Sequence, residues 1–469
     1  MENLSNQDIQ KFLNFEKELN LNGLRYKDKK IWAIIRWSVY DAILEHQGKA
    51  QRAASTKRSK RQPIIRKLFK LLFSLISLKN LFGKTDILLF NYGRVLDFNG
   101  KEDNLLVWTF SEPLKKDYHL TTVDQYNIYS TGSKNVINIC EMLSLTSHAA
   151  SFFTKFTKWP KLEEEINRRI KKFYNFEIQL SQIYINNFVY QKSMGILSNL
   201  IIKLKKPKII AYSDTGSFSE VIRIAKLNGV HTVDYQHSLQ SGQNLLYTHN
   251  PDIIDEYKEF LSDFVMTFGS YWNKYFERNY KAIAVGSSYQ ELMTKDIEKI
   301  IQDKKSIVFI SDGEMARKEF ENLAIIIAKK IPELNIYYRL RPDEFLSWKT
   351  LYSQEIQKIK NIKFLENNDK SLHFYLKKCK YVIGINSTVL IEAMPISNVI
   401  VHKIGWYIEM EQFIKNGFVL TSSSAEDILN IVKQNKLPER SIEEEELFKI
   451  NSGRNIKDAI KAISLKGNL

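Results

Sequence analysis

Two kinds of hydrophobic spacing alternate along this chain. Over residues 7–46 apolar positions recur every third or fourth residue, as in Ile31, Trp32, Ile34, Ile35, Val39, Ala42 and Ile43, which predicts two helices. From Asp86 the pattern becomes short apolar runs ending on glycine or polar turns, separated by helical stretches. DILLFNYG (86–93), LLVWTF (105–110), LTTVD (120–124), PKIIAYSDTGS (207–217), VHTVDYQHS (230–238), DFVMTFGSYW (263–272) and AIAVGSS (282–288) read as a first series of strands, with two long helices over 161–204. SIVFISDGE (306–314), NIYYRLRPDE (335–344), KYVIGINSTVLIEAM (380–394) and NVIVHKIG (398–405) read as a second, with helices at 324–331, 425–433 and from about 440. Such alternation predicts an α/β fold with two Rossmann-like doubly wound domains, their sheets facing a central cleft. The boundaries predicted are 1–85 for an N-terminal helical extension, 86–295 and 296–440 for the two domains, and 441–469 for a C-terminal helix.

One segment fits neither pattern. Residues 47–63 (QGKAQRAASTKRSKRQP) are polar and strongly basic, and 64–82 (IIRKLFKLLFSLISLKNLF) carry Ile65, Leu68, Phe69, Leu72 and Ile76 on one helical face. Arg66, Lys67 and Lys70 flank that face. A basic loop joined to such a helix suits an anionic membrane surface; it equally suits a helix packed on the first domain with its charges in solvent. Composition sharpens this. The 469 residues are too many for one core, 44% hydrophobic and 26% charged residues are globular proportions, and a net charge of +16 favours anionic partners. No run of 18 apolar residues exists, and the N-terminus lacks a signal-peptide hydrophobic region, so a cytoplasmic protein is expected. Cys140 and Cys379 both sit in apolar stretches and read as core residues of a reducing compartment.

The candidate chemistry lies at the ends of the strands. After 380–383, Gly384 and Asn386-Ser387-Thr388 lead into a helix, offering hydroxyls and free backbone N–H groups to a phosphate, with Glu392 one turn further placed to accept from ribose hydroxyls. The alternative is an ordinary capped helix. Ser311-Asp312-Gly313 is another glycine turn, and Asp312 is either a donor-site residue or a helix cap. Arg339 and Arg341 alternate, which predicts one shared face toward a diphosphate, or ion pairs with Asp343 or Glu344. Gly405 and Glu409 fall where a donor's sugar could be reached. In the first domain Asp214 follows a strand and is either a general base or a helix cap. His237 ends the next strand beside Gln236 and Ser238, as a base or a binding residue. Gln236, Ser238, Thr215 and Gly216, with Gln240, Ser241 and Gly242, read as acceptor-side positions. The eight histidines form no cluster of metal-ligand spacing.

Taken together, IWAIIRWSVYDAI, YSDTGS, DYQHS, FGSYW, VGSS, RLRPDE and GINSTVLIEAM resemble the motifs of GT-B-type bacterial capsule and surface-polysaccharide glycosyltransferases, with a distant likeness to the sialyl-, polysialyl- and Kdo-transferases. In those relatives an acidic-glycine turn supplies the base, a His-Pro pair binds nucleotide and a Ser-Ser/Thr pair binds phosphate. The resemblance carries these roles to Asp214-Thr215-Gly216, Arg341-Pro342 and Ser387-Thr388. Thr215 replaces a second acidic residue and Arg341 replaces the histidine, departures that speak against a CMP-sialic acid donor and leave another nucleotide sugar. The resemblance implies a metal-independent transferase without a cofactor. Its partners would be a nucleotide-sugar donor, a lipid-linked or oligosaccharide acceptor and the cytoplasmic face of the inner membrane. A CDP-polyol phosphotransferase of the teichoic-acid type is the nearest rival, and a nucleotide-sugar epimerase shares the architecture. A nucleic-acid-binding protein is disfavoured, because the aromatics fall in strands and helix cores and are not interleaved with Arg and Lys.

Overall fold

The structure, a computed structural model, describes residues 6–19, 24–26, 29–49 and 76–466, less 92–94, 99–100, 127, 130–133, 147–158, 184–186, 238, 277–278, 296, 298, 314–315, 343, 367–370, 406 and 440–442. The chain divides into two compact units, one spanning residues 7–237, 244–288 and 448–469, the other chiefly 289–447. Each is built on a parallel sheet.

In the first unit the strands are β1 (Ile87–Phe90), β2 (Leu120–Asp124), β3 (Val136–Asn138), β4 (Ile209–Tyr212), β5 (His231–Tyr235), β6 (Phe264–Thr267) and β7 (Lys281–Ala284). They lie in the order β7-β6-β5-β4-β1-β2-β3, all parallel. β1 and β4 are buried along their whole length, as the unbroken apolar runs ILLF and IIAY require of strands covered on both faces. Helices α1 (Asn6–Glu18) and α2 (Trp32–His46) form the N-terminal extension. A fully enclosed ion pair lies between them: Glu16 accepts from Arg36 Nε at 2.6 Å and Nη2 at 2.8 Å, from Trp32 Nε1 at 2.6 Å and from Tyr257 Oη at 2.8 Å. Further along come α3 (Leu105–Leu114), α4 (Trp159–Tyr174), α5 (Val189–Lys205) and α6 (Ser219–Leu227).

Residues 105–110, predicted as a strand, are the first half of α3. Asn104 caps it, its Oδ1 accepting from Val107 N at 3.4 Å. Leu105, Leu106, Val107 and Phe110 are all buried, so the apolar run lacks the one-sided period that marks a surface helix. The stretch 161–204 holds α4 and α5 with a four-residue helix between them, the break following Asn175 at φ +67°. Hairpin Val95–Phe98/Lys101–Asn104, β3 and, in the second unit, Leu420–Ser422 were not predicted. Residues 64–75, with Arg66, Lys67 and Lys70, lie outside the described residues, as does Ser238.

The second unit contains β8 (Asp303–Ile310), β9 (Asn335–Arg339), β10 (Ile362–Leu365), β11 (Cys379–Gly384), β12 (Asn398–His402) and β13 (Leu420–Ser422), in the order β10-β9-β8-β11-β12-β13. Helices α7 (Arg317–Lys330), α8 (Leu372–Lys378), α9 (Thr388–Ala393) and α10 (Ala425–Lys433) connect them. β11 is buried at all six positions and carries Cys379; Cys140, by contrast, is only half-buried.

The last helix, α11 (Ser452–Lys466), belongs to the first unit. Lys449 N donates to Phe268 O at 2.7 Å, Asn455 Nδ2 to Val285 O at 3.1 Å, and the Phe448 ring stacks on Phe268. Gly286 makes this approach possible. Its φ is +97°, and a Cβ there would sit 2.1 Å from the Lys449 carbonyl oxygen.

Candidate functional site

In the six-stranded sheet the order runs outward in both directions from β8 and β11. The loops leaving the carboxyl ends of those two strands therefore diverge and open a crevice at the switch point, where ligands of such sheets bind. The loop after β8 is Ser311-Asp312-Gly313. Ser311 N donates to Arg339 O at 2.9 Å, extending the ladder by one residue, and Ser311 Oγ accepts from Gly313 N at 3.1 Å. Gly313 has φ +70°, and a Cβ there would meet Arg341 Cδ at 3.0 Å. Glycine thus lets the Arg341 side chain run along the turn. Burial pushes the Asp312 carboxyl up to about 6, with Arg341 pulling it down and Glu344 adding to the rise. Asp312 does not cap α7, whose N-cap is Ala316. Glu409 is pushed up to about 7, by loss of water around its carboxyl and then by the charge of Asp312.

Glu344 fixes this turn. Its buried carboxylate accepts from Arg341 N at 2.9 Å and Tyr352 Oη at 3.0 Å, and lies 3.4 Å from Arg317 Nε. Arg339 goes elsewhere: its Nη1 donates to Glu366 O at 3.3 Å and its guanidinium lies over Phe345. The two arginines do not act together as predicted: β9 ends at Arg339, whose side chain goes to Glu366 O and Phe345, while Arg341 runs along the Gly313 turn.

On β11 the chain leaves through Gly384, where a Cβ would come within 2.7 Å of Leu390 Cδ2. Ser387 caps α9, its Oγ accepting from Val389 N at 3.3 Å, while Asn386 and Thr388 are half-exposed beside it. Glu392 is buried one turn on. Its Oε2 lies 3.4 Å from His373 Nε2 on α8, and its carbonyl accepts from Gln290 Nε2 at 2.9 Å. Burial against α8, rather than the open side of the turn, is where this carboxylate sits.

In the seven-stranded sheet the corresponding reversal falls between β1 and β4, and Asp214 follows β4. Asp214 has φ +76°, a left-handed backbone uncommon for any residue but glycine. The sequence reading missed what holds it there. Asp234, inside β5, accepts from Asp214 N at 3.1 Å, Thr215 N at 2.8 Å and Thr215 Oγ1 at 2.5 Å. Its total burial raises its carboxyl to about 7 against these donors, with Asp214 adding to the rise. The available signal was an acid between Val233 and Tyr235 in an otherwise apolar strand, since unpaired carboxylates are seldom fully buried. Asp214 Oδ2 accepts from Ser217 Oγ at 2.5 Å, and the following turn begins as a 3₁₀ helix without a side-chain cap from Asp214. Thr215 is thus tied to Asp234, and Gly216 is packed under Leu246, whose Cδ2 would lie 2.4 Å from a Cβ there.

Gln236 is turned into the sheet: it is buried and its Oε1 accepts from Phe268 N at 2.9 Å. His237, two residues beyond β5, is half-buried, and Gln240 and Ser241 are buried. Among the described residues no three His, Cys, Asp or Glu side chains gather as a metal-binding group, and no helix is long and apolar enough to cross a membrane.

The two doubly wound sheets with their switch-point turns define the class: a two-domain Rossmann-like α/β protein with a helical N-terminal extension. No family model matches the chain, and no curated protein sequence matches it. Among solved structures it is similar to the UDP-GlcNAc 2-epimerase of Methanocaldococcus jannaschii, with 13% identity, TM-score 0.47, and 81% of this chain and 100% of that one covered. It is similar also to the UDP-N-acetylglucosamine 2-epimerase of Rickettsia bellii, with 13% identity, TM-score 0.49, and 82% and 97% covered. The calicheamicin glycosyltransferase CalG4 gives 12% identity, TM-score 0.46, and 82% and 95% covered.

Proposed function

We propose that this chain is a nucleotide-sugar-dependent glycosyltransferase of the GT-B type, which extends or caps a lipid-linked surface glycan of the capsule or lipopolysaccharide kind at the cytoplasmic face of the inner membrane. One observation carries the reading. The glycine turn Ser311-Asp312-Gly313, with Arg341 laid along it, and the capped turn Asn386-Ser387-Thr388 leave the carboxyl ends of the two strands that flank the switch point. Backbone N–H groups, three hydroxyls and a guanidinium at that place suit a nucleotide phosphate.

In this reading Arg341 and the turn amides neutralise the charge that develops on the donor's phosphate, with no cofactor. The candidate base is Asp214. Its carboxylate takes the proton of an acceptor hydroxyl as that oxygen bonds to the anomeric carbon. The bond from that carbon to the phosphate oxygen breaks, and the nucleotide leaves with the electron pair. His237 is the second candidate for the base.

The deciding experiment is a thermal-shift series with CMP, CDP, UDP, GDP and ADP on the wild type and on Ser387→Ala/Thr388→Ala. A native-state ligand at 100 times its Kd adds about 2.7 kcal/mol. A clear response to one nucleotide, reduced in the double variant, is expected. A CDP response would instead favour the polyol-phosphate rival, and CMP a sialic acid or Kdo donor. Indifference to all five would overturn the reading.

A further inference from the structure

Helix α5 is apolar on two sides. Met194, Ile201 and Ile202 enter the core of the seven-stranded unit, as a helix on a sheet should. On the outer side, four residues apart, Ile196, Leu200 and Leu204 are 68%, 51% and 45% exposed. Exposed apolar residues also occur on elements bonded to α5. Leu227, at the end of α6, is 70% exposed, and the residue after it is tied to α5 by Asn228 Nδ2 donating to Asn199 Oδ1 at 3.2 Å. Phe82 is 76% exposed at the other end, and Lys205 Nζ donates to its carbonyl at 3.3 Å and to that of Gly83 at 3.4 Å. Three exposed apolar side chains in register on one helical face mark an interaction surface.

Charge identifies the occupant. Residues 196–208 (ILSNLIIKLKKPK) contain four lysines and no acid, and Lys203, Lys206 and Lys208 are exposed at the stripe's end. Large apolar side chains edged by exposed lysines match the boundary between anionic headgroups and acyl chains. A second copy of the chain would bring to this face the same lysine-rich, acid-free segment 196–208, which offers those lysines no opposite charge.

We propose that the outer face of α5, with Phe82 and Leu227, is a docking surface for an anionic lipid bilayer, the helix axis lying in the membrane plane. None of these residues belongs to the proposed donor or acceptor turns, so the surface stands whether or not the chain binds nucleotides.

The test is cosedimentation of the full chain, without nucleotide, with vesicles of phosphatidylcholine alone or mixed with phosphatidylglycerol. The wild type is expected to bind the mixed vesicles at least tenfold better. Ile196→Gln/Leu200→Gln/Leu204→Gln should lose at least tenfold of that binding at unchanged melting temperature, and Lys203→Glu/Lys206→Glu should lose the preference for phosphatidylglycerol. A wild type that binds neither vesicle, or a triple variant that binds as well as wild type, overturns the proposal. So does wild-type self-association in sedimentation equilibrium that the triple variant abolishes, which would give the face to a second copy.

Discussion

Asp214 occupies a left-handed backbone well that costs an L-residue about 1–2 kcal/mol, and three hydrogen bonds to Asp234 hold it there. Asp234→Asn keeps the shape but turns an N–H₂ toward donors. It should cost roughly 1–3 kcal/mol in urea denaturation and release the Asp214 turn. Asp214→Gly should leave stability nearly unchanged, since relief of the backbone offsets the lost Ser217 hydrogen bond, yet abolish transfer; normal transfer by this variant would remove Asp214 as the base. In the second unit, Asp312 and Glu409 are raised toward 6 and 7, above their ordinary values of 3.8 and 4.5. The folded state therefore holds protons that the unfolded chain releases. These groups contribute stability fully present below about pH 4, which is lost as pH rises through 6–7. Nucleotide affinity should fall over the same window, because each ionised carboxyl beside the turn repels a phosphate. Titration calorimetry at pH 5.5 and 8 reads this, and Glu409→Gln should flatten the slope.

Element by element, the sheets were the legible part. ILLF, IIAY, SIVFI and KYVIG are apolar runs closed by polar turns, and each became a strand. LLVWTF has the same look and became α3, because burial on all sides erases the period that separates helix from strand. Its cap can be tested: Asn104→Ala is expected to cost about 1 kcal/mol in urea denaturation, through loss of the bond from Val107 N. The glycine and serine turns could be found from sequence because their chemistry is local. Glu344 and Glu392 could be named as well, but not the partners they take, and Asp234 was not named at all. Glu344 is bonded by Tyr352 and Arg341 and lies close to Arg317, Asp234 belongs to a turn about 20 residues away, and Glu392 rests against His373, partnerships that only the folded chain creates.

For the whole molecule, the division into two units cuts across chain order. Ile456, Ile460 and Ile463 of α11 are buried within the first unit, and Lys457 pairs with Asp117 at 2.6 Å. Removing residues 448–469 should lower the melting temperature of the seven-stranded unit while leaving a nucleotide-dependent shift of the six-stranded unit in place; differential scanning calorimetry with and without ligand separates the two. Gly286→Ala should act in the same direction, since its methyl group would displace the Lys449 backbone. The same feature sets a timetable for biosynthesis. The unit whose strands leave the ribosome first lacks its closing helix until all of residues 289–447 have been made, so a chain released at residue 447 should carry a protease-sensitive first unit.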